Sequence, residues 1–581
     1  MSKTENVTQE KQALSLVVDR FDIAKKARRT FEDKWNRFYK LYRFQLNQGK
    51  QPYQANLSIP YCFANVETIL PRMVANKPKV EFQAREPQDQ INTEVLRNLI
   101  EYQWGEMNMD SKMSEWVKQV LIYGTSVLKV YWRLYKNGKL YDNPEADVVD
   151  LFDFFIDPSA TSIDDAEYVI HRIVKPLNTI KDDPKYKNTN LIKGSAERIN
   201  EFREQRDSVL GVNTAEDQHK QEIELLEYWE DNRVITVANK SIVIRDEENP
   251  FDHKMKPFVV IVNQLVPKEF YGIGEIEPLE SLQNELNDLR NQRMDNVNLV
   301  LNRMWKARRD STIQWDTLTS KPGGIILTDN MEDIIDITTP DITASSFREE
   351  ESIKSDIQNT TGVTDYITGV SGKTSTATEI VKKTEESNQR FKMKIKNLEN
   401  MGIKRLGEIL LALNQQYIDR EKIIRIVGTE RQEYALVDPA SINGSFDIIV
   451  IPGSTMPIDR ESKKAQALEL KKIFGADPLI NQIELDKIVL DAYEIKSIDR
   501  LLQQPGTINE MNTPPGYHVM PDGSLMSNED MGVARDGVQQ EIDRQSMQEQ
   551  GAPLMADGRQ ISKSATMQQR QYAGSARNKG V

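Results

Sequence analysis

Residues 271–304 read YGIGEIEPLESLQNELNDLRNQRMDNVNLVLNRM, and residues 376–418 read TATEIVKKTEESNQRFKMKIKNLENMGIKRLGEILLALNQQYI. In the first stretch Ile273, Ile276, Leu279, Leu282, Leu286 and Leu289 recur at steps of three and four, one face of a helix. Val297, Leu301 and Met304 continue the stripe, with Gln, Asn, Asp and Arg on the other faces. In the second, Thr376 and Glu379 form a capping box, each side chain satisfying a free backbone N–H at the helix start. Its stripe is Phe391, Ile395, Leu398, Leu406, Ile409, Leu413 and Tyr417. A helix of roughly forty residues spans ~60 Å at 1.5 Å per residue. One small core cannot cover that length, so the helix is expected to cross between domains or to pack against other chains.

Working outward, the chain has 581 residues, a net charge of −13 and a hydrophobic fraction of 38%. Mean hydropathy is −0.59. The acidic balance argues against non-specific capture of nucleic acid as default behaviour. The single cysteine, Cys62, excludes an intrachain disulfide framework and suits a reducing compartment. No apolar run approaches the ~18 residues of a membrane span, and the N-terminal MSKTENVTQEKQ has no hydrophobic signal core.

Residues 8–46 read as a helix carrying Leu14, Val17, Phe21, Phe31, Trp35, Phe38 and Tyr42 among interleaved Lys and Arg. A nucleic-acid or partner helix would use that mixture. An amphipathic helix with its aromatics packed inward is the commoner source of that mixture, and is the expectation here. Residues of about 50–270 then read as an α+β region. LIYGTSVLKVYW passes from helix to strand at Gly124, and IELLEYWE, NRVITVAN, SIVIR and PFVVIVNQ follow as strands of an antiparallel sheet. KIIRIVG and FDIIVIPGS, far along the chain, resemble partners for that sheet, which makes the region discontinuous. Asp459 and Gly475 bracket a further helix, and beyond Gln504 the composition turns to Pro, Gly, Gln and Met, as in an extended or disordered tail.

Chemical motifs are wanting. GVSGKT (369–374) lacks the glycine a phosphate loop needs five residues before Gly372, where Ile367 stands, and no strong strand precedes it. His171, His219, His253 and His518 are scattered, without cysteine partners for zinc. A calcium loop over Asp157–Asp165 would want Gly where Ser162 stands, so an Asp-Pro turn is the better reading. No enzyme activity, cofactor or metal is expected.

Three phrases in order, LIYGTSVLKVYW, LFDFFIDPSATSIDDAEYVIHRIV and YGIGEIEPLESLQNELNDLRNQRMDN, together with the helices after them, resemble the portal proteins of tailed bacteriophages, most like those of short-tailed phages. The resemblance covers about residues 10–500. It implies a mainly helical α+β portal-type fold: an N-terminal helix and discontinuous wing (1–275), a first stem helix (276–308), a small β-containing clip (309–344), a second stem helix (345–360), a tunnel loop (361–375), a long helix returning to the wing (376–458), a helical crown (459–504) and a C-terminal extension (505–581). Ser346 with Glu349 is expected to cap the second stem helix and Gly362 to end it.

The resemblance also implies a homo-oligomeric ring, normally of twelve subunits, at one capsid vertex of the virion and assembled in the host cytoplasm. Double-stranded DNA would pass through it during packaging, retention and ejection. The implied partners are the major capsid protein, the terminase large subunit and tail adaptor proteins, with no membrane. DNA-facing candidates are Tyr366, Lys373, Lys382, Lys383, Arg390, Lys392, Lys394 and Lys396. Subunit-interface candidates are Leu282, Leu286, Leu289, Trp315, Ile325 and Ile326. The alternatives are another ring-forming connector or adaptor of the virion, and a nucleic-acid enzyme.

Overall fold

The computed structural model describes residues 3–46, 49–90, 92–136, 138–193, 221–302, 304–309, 334–338, 343–363, 389–425, 434–451, 460–475, 480–493, 517–519 and 525–527, with the isolated positions 330, 332 and 340. The chain divides into two compact units, Met1–Ile458 and Asp459–Val581.

The first unit opens with α1 (Lys3–Tyr42). Val17, Phe21, Trp35 and Phe38 of its apolar stripe are buried, as the amphipathic reading expects. Helices α2 (Tyr61–Met73), α3 (Asn92–Glu106) and α4 (Met109–Tyr123) follow, with strand β1 (Val80–Ala84) between the first two. α4 runs into Gly124 and then directly into strand β2 (Thr125–Lys136).

Two antiparallel sheets stand where the sequence suggests one. β2 pairs with β3 (Lys139–Val149) and β9 (Phe258–Val262) in a sheet ordered β3-β2-β9. The second sheet runs in chain order through β4 (Phe154–Ile156), β5 (Val169–Pro176), which leads into the short helix α5 (Leu177–Lys181), then β6 (Glu222–Trp229), β7 (Arg233–Ala238) and β8 (Ile242–Glu248). The break falls at the 3-10 turn Leu151–Asp153, where the Asp150 side chain accepts from the N–H of Phe152. That turn takes the chain out of β3 before it can pair further, so β4 starts a new sheet. The two sheets are joined by the buried Lys129–Glu227 ion pair and by the edge-to-face rings of Phe154 and Phe258.

After β9 come a 3-10 turn (Glu277–Leu279) and α6 (Glu280–Leu301). The first long helix is thus shorter than 276–308. Beyond Asn302 the chain becomes β10 (Met304–Ala307), paired antiparallel with β11 (Ile334–Ile337), so Met304 lies on a strand and not on the helix stripe. α7 (Thr343–Thr361) begins three residues before Ser346, whose hydroxyl donates to the Thr343 carbonyl and does not cap the helix. Gly362 follows in the left-handed conformation (φ +72°), donating its N–H to Gln358.

The last long helix is described over residues 389–397, a π-turn (Leu398–Ile403) and α8 (Lys404–Tyr417); its expected cap at Thr376 and Glu379 lies outside the described residues. The π-turn falls within the step of eight from Leu398 to Leu406 in the apolar stripe, and both of those residues are buried in the core. Then β12 (Lys422–Arg425) pairs with β13 (Tyr434–Val437), the short helix α9 spans Pro439–Ile442, and β14 (Phe446–Val450) pairs with β1. Neither late strand group joins either large sheet, contrary to expectation. FDIIV nonetheless closes back on VEFQA from the start of the chain, so the region is discontinuous in sequence.

In the second unit α10 (Arg460–Phe474) ends at Gly475 and is linked to α11 (Gln482–Ala492) by Lys471–Asp486 at 2.7 Å. β15 (Tyr517–Val519) and β16 (Leu525–Ser527) form a separate hairpin.

Candidate functional site

Two of the phrases singled out in the sequence meet in space. A Cβ on Gly124 would lie 2.0 Å from the Gly272 carbonyl oxygen, and one on Gly274 2.7 Å from the Ile122 carbonyl. Only hydrogen fits there, which lets the backbones after α4 and before α6 touch. Asn263 N–H donates to the Gly124 carbonyl (3.0 Å), Glu275 N–H to Leu121 (2.7 Å) and Gly272 N–H to the Thr125 hydroxyl (2.9 Å). The buried Glu275 carboxylate then receives the Asn263 amide and the Lys394 ammonium. This cluster fixes where α6 leaves the sheets and where the last long helix returns.

α6 holds the chain between α1 and α2 by an amide ladder that the sequence reading missed. Gln283, Asn287, Asn291 and Asp295 stand four residues apart, on a face outside the apolar stripe. Asp295, Asn291, Asn287 and Gln283 accept from the N–H groups of Ala55, Leu57, Ile59 and Cys62 at 2.6, 2.7, 2.9 and 3.1 Å. Asn291 and Gln283 donate back to the Leu57 and Ile59 carbonyls at 3.0 and 2.8 Å. The extended segment 55–60 is therefore bonded to a helix as if to a strand, side-chain amides standing in for a backbone ladder. The signal was the repeat of amide and carboxylate residues at a step of four.

The other flank of α6 meets α7. Arg293, nearly fully buried, pairs with Glu350, which also takes Lys354 at 2.6 Å. Leu286 is wholly buried in the main core of its own chain, and Leu282 and Leu289 are half-buried against that core. Leu286 is thus a core residue, which corrects its place among the interface candidates. Trp315, Ile325 and Ile326 lie outside the described residues.

The basic candidates separate. Tyr366, Lys373, Lys382 and Lys383 lie outside the described residues. Lys394 is 8% exposed and committed to Glu275, which removes it from the groups open to a polyanion. Arg390 donates to the carbonyls of Asn359 (2.9 Å) and Thr360 (3.3 Å), capping the negative end of α7. Lys392 and Lys396 are exposed, one helical turn apart.

Two further groups among the described residues, Cys62 and Asp165, are shielded or bonded. Burial pushes the Cys62 thiol up to about 12, so it is protonated and inert at neutral pH. In the Asp157–Asp165 loop the Asp165 carboxylate accepts from the N–H and hydroxyl groups of both Thr161 and Ser162, and those bonds hold it well below the usual carboxylate range. Among the described residues no group of three or more His, Cys, Asp or Glu could hold a metal ion, and no helix is long and apolar enough to cross a membrane.

The arrangement is that of a scaffold: helices anchored to sheets by packed glycines, amides and buried ion pairs. No curated protein matches the chain. The family model described as Phage SU10 portal protein matches residues 133–469, which takes in the five-stranded sheet, β3 and β9 with the end of β2, the α6–α7 helices and the return through β14 into α10. The match spans more than half of the chain, and the chain belongs to this family of phage portal proteins.

Proposed function

We propose that this portal protein assembles into a ring at one capsid vertex and forms the channel through which the phage genome is packaged, retained and ejected. The single observation that carries the reading is the family match over 133–469. In this reading the sheets with β1 and β14 make the wing, α6 and α7 the stem, β10 and β11 part of the clip, and α10 and α11 the crown. The ring has twelve copies, and it docks terminase on one side and tail adaptor proteins on the other. The role is mechanical, and no residue performs chemistry.

Electrostatics support it. Each copy carries a net charge of −13, so a ring concentrates negative charge around the passage. A mostly repulsive wall lets DNA slide, while a few basic rings hold phosphate transiently. Lys392 and Lys396 are the described candidates for such a ring, and Tyr366, Lys373, Lys382 and Lys383 belong to the same proposal.

Electron microscopy of the purified full-length chain tests the assembly. Rings with a central hole are expected; compact monomers at all concentrations would overturn the reading.

A further inference from the structure

Residues 34–66 hold five basic residues, Lys34, Arg37, Lys40, Arg43 and Lys50, and no acidic one, in a chain of net charge −13. The first four recur every third residue through the end of α1 and the position just past it. Lys34 and Arg37 are neutralised within the chain by Glu277 (2.8 Å) and Glu280 (2.6 Å) at the start of α6. Lys40 and Arg43 are exposed and form no ion pair among the described residues.

Beside them the chain displays large apolar side chains. Phe44 follows α1 with φ +42°, a position where helices commonly place glycine and where a bulky residue is strained. It is 48% exposed and touches the ring of Phe63 edge-on (centroids 6.0 Å). Leu46, Tyr53 and Leu57 are also exposed, Tyr53 at 78%. The amide ladder grips this segment by its backbone at Leu57, so the Leu57 side chain takes no part in holding it. Exposed aromatic and aliphatic groups close in the chain to the exposed cations Lys40 and Arg43 suit a protein-binding face. Duplex DNA would engage the cations but would leave the leucines in water.

Resting on the ring reading above, we infer that this aromatic and basic face seats on the exposed face of α7 in the next copy of the chain. Two observations select that occupant. First, on a 100°-per-residue wheel the ladder residues of α6 and the residues that meet Glu350 and Pro340 (Arg290, Arg293, Asn296) point roughly 140° apart. The segment and α7 thus flank α6 on different sides, as a head-to-tail ring contact requires. Second, the charges match. The side of α7 away from its buried line of Ser346, Glu350, Ile353 and Ile357 exposes one cation, Arg348, against three carboxylates, Glu349, Glu351 and Asp356, and is net acidic, with the small Ser352 and Ser355 between Glu351 and Asp356 leaving a shelf for rings.

Charge reversal and its rescue test this in the full-length chain, read by native mass measurement at low salt, with circular dichroism to check folding. Lys40→Glu with Arg43→Glu should lower the ring fraction at least about tenfold. Glu351→Lys with Asp356→Lys should do the same, and the four changes together should restore rings. Tyr53→Ser with Leu57→Ser, which leaves the charges alone, should also release monomers. Wild-type-like rings in the charge variants, or no rescue in the combination, would overturn the inference and leave the ring reading standing. Normal rings with reduced DNA binding would assign the face to nucleic acid and likewise overturn it. A monomeric wild type would overturn both.

Discussion

His171 and Glu227 face each other in register on β5 and β6, and Lys129 reaches them from the other sheet. Burial, with Lys129 nearby, pushes the His171 imidazole down to about 3 from its ordinary 6.5. Burial alone would raise Glu227, but Lys129 and His171 hold it at about 2, below the ordinary 4.5. Both folded-state values lie below the unfolded ones, so on acidification the unfolded chain binds protons first and stability falls. The His171 contribution is complete above about pH 6.5 and is lost as pH falls toward 3. That of Glu227 is complete above about pH 4.5 and is lost as pH falls through 2. Thermal unfolding midpoints should therefore decline below pH 6.5 and more steeply below 4.5. His171→Gln should flatten the upper part, worth about 2–3 kcal/mol over two pH units; an unchanged profile in that variant would assign the decline to other groups. Leu286 carries a second prediction at this scale. Because it is buried in its own chain, Leu286→Asp places an unpaired carboxylate in the core and should cost several kcal/mol. Soluble, folded monomers of this variant, with a wild-type unfolding midpoint, would show that Leu286 acts between copies instead.

At the scale of elements, the ladder on α6 determines where segment 55–60 lies. Removing one amide leaves a backbone N–H without its partner, a loss of about 1–3 kcal/mol where the site is buried. Asn287→Ala with Asn291→Ala should leave the sheets intact and free the segment. Hydrogen exchange at the amides of Leu57 and Ile59 should become fast while that of β2 and β6 stays slow; slow exchange at all four sites would mean that packing, not the ladder, holds the segment. The same element shows what a sequence discloses. The apolar stripes of α1 and the last long helix were legible because burial of a helix face imposes a period of three to four; of the stripe read on α6 only Leu286 is fully buried, and Leu301 is exposed. The split into two sheets was not, since it falls at a local turn, Leu151–Asp153 behind Asp150, that no hydrophobic period marks. Nor was the ladder, because amides that bond a distant backbone look like amides facing water. Lys394 was misplaced for a like reason: its neighbour Glu275 lies 119 residues away in sequence. The Gly124–Gly272–Gly274 contact was half legible, in that the phrases holding these glycines stood out while their meeting in space did not.

For the whole molecule, charge is the property that connects the chain to its proposed task. A ring of acidic copies repels DNA, and each exposed lysine near the passage is repeated once per copy. Lys392 and Lys396 share one face of the last long helix and are exposed, whereas Lys394 between them turns inward to Glu275. Reversing the two exposed charges therefore leaves the buried pair untouched, and secondary structure and ring formation should be preserved. If these lysines line the passage, Lys392→Glu with Lys396→Glu replaces a ring of weak phosphate contacts by a ring of repulsion. Packaged DNA length or retention should then change most at low salt, and the difference should shrink as the Debye length falls from about 30 Å at 0.01 M to about 8 Å at 0.15 M. The measurement compares wild type and the double variant in particles across ionic strength. A difference that does not depend on salt would point to altered assembly, and identical retention at every salt would place both lysines on a face that DNA does not visit.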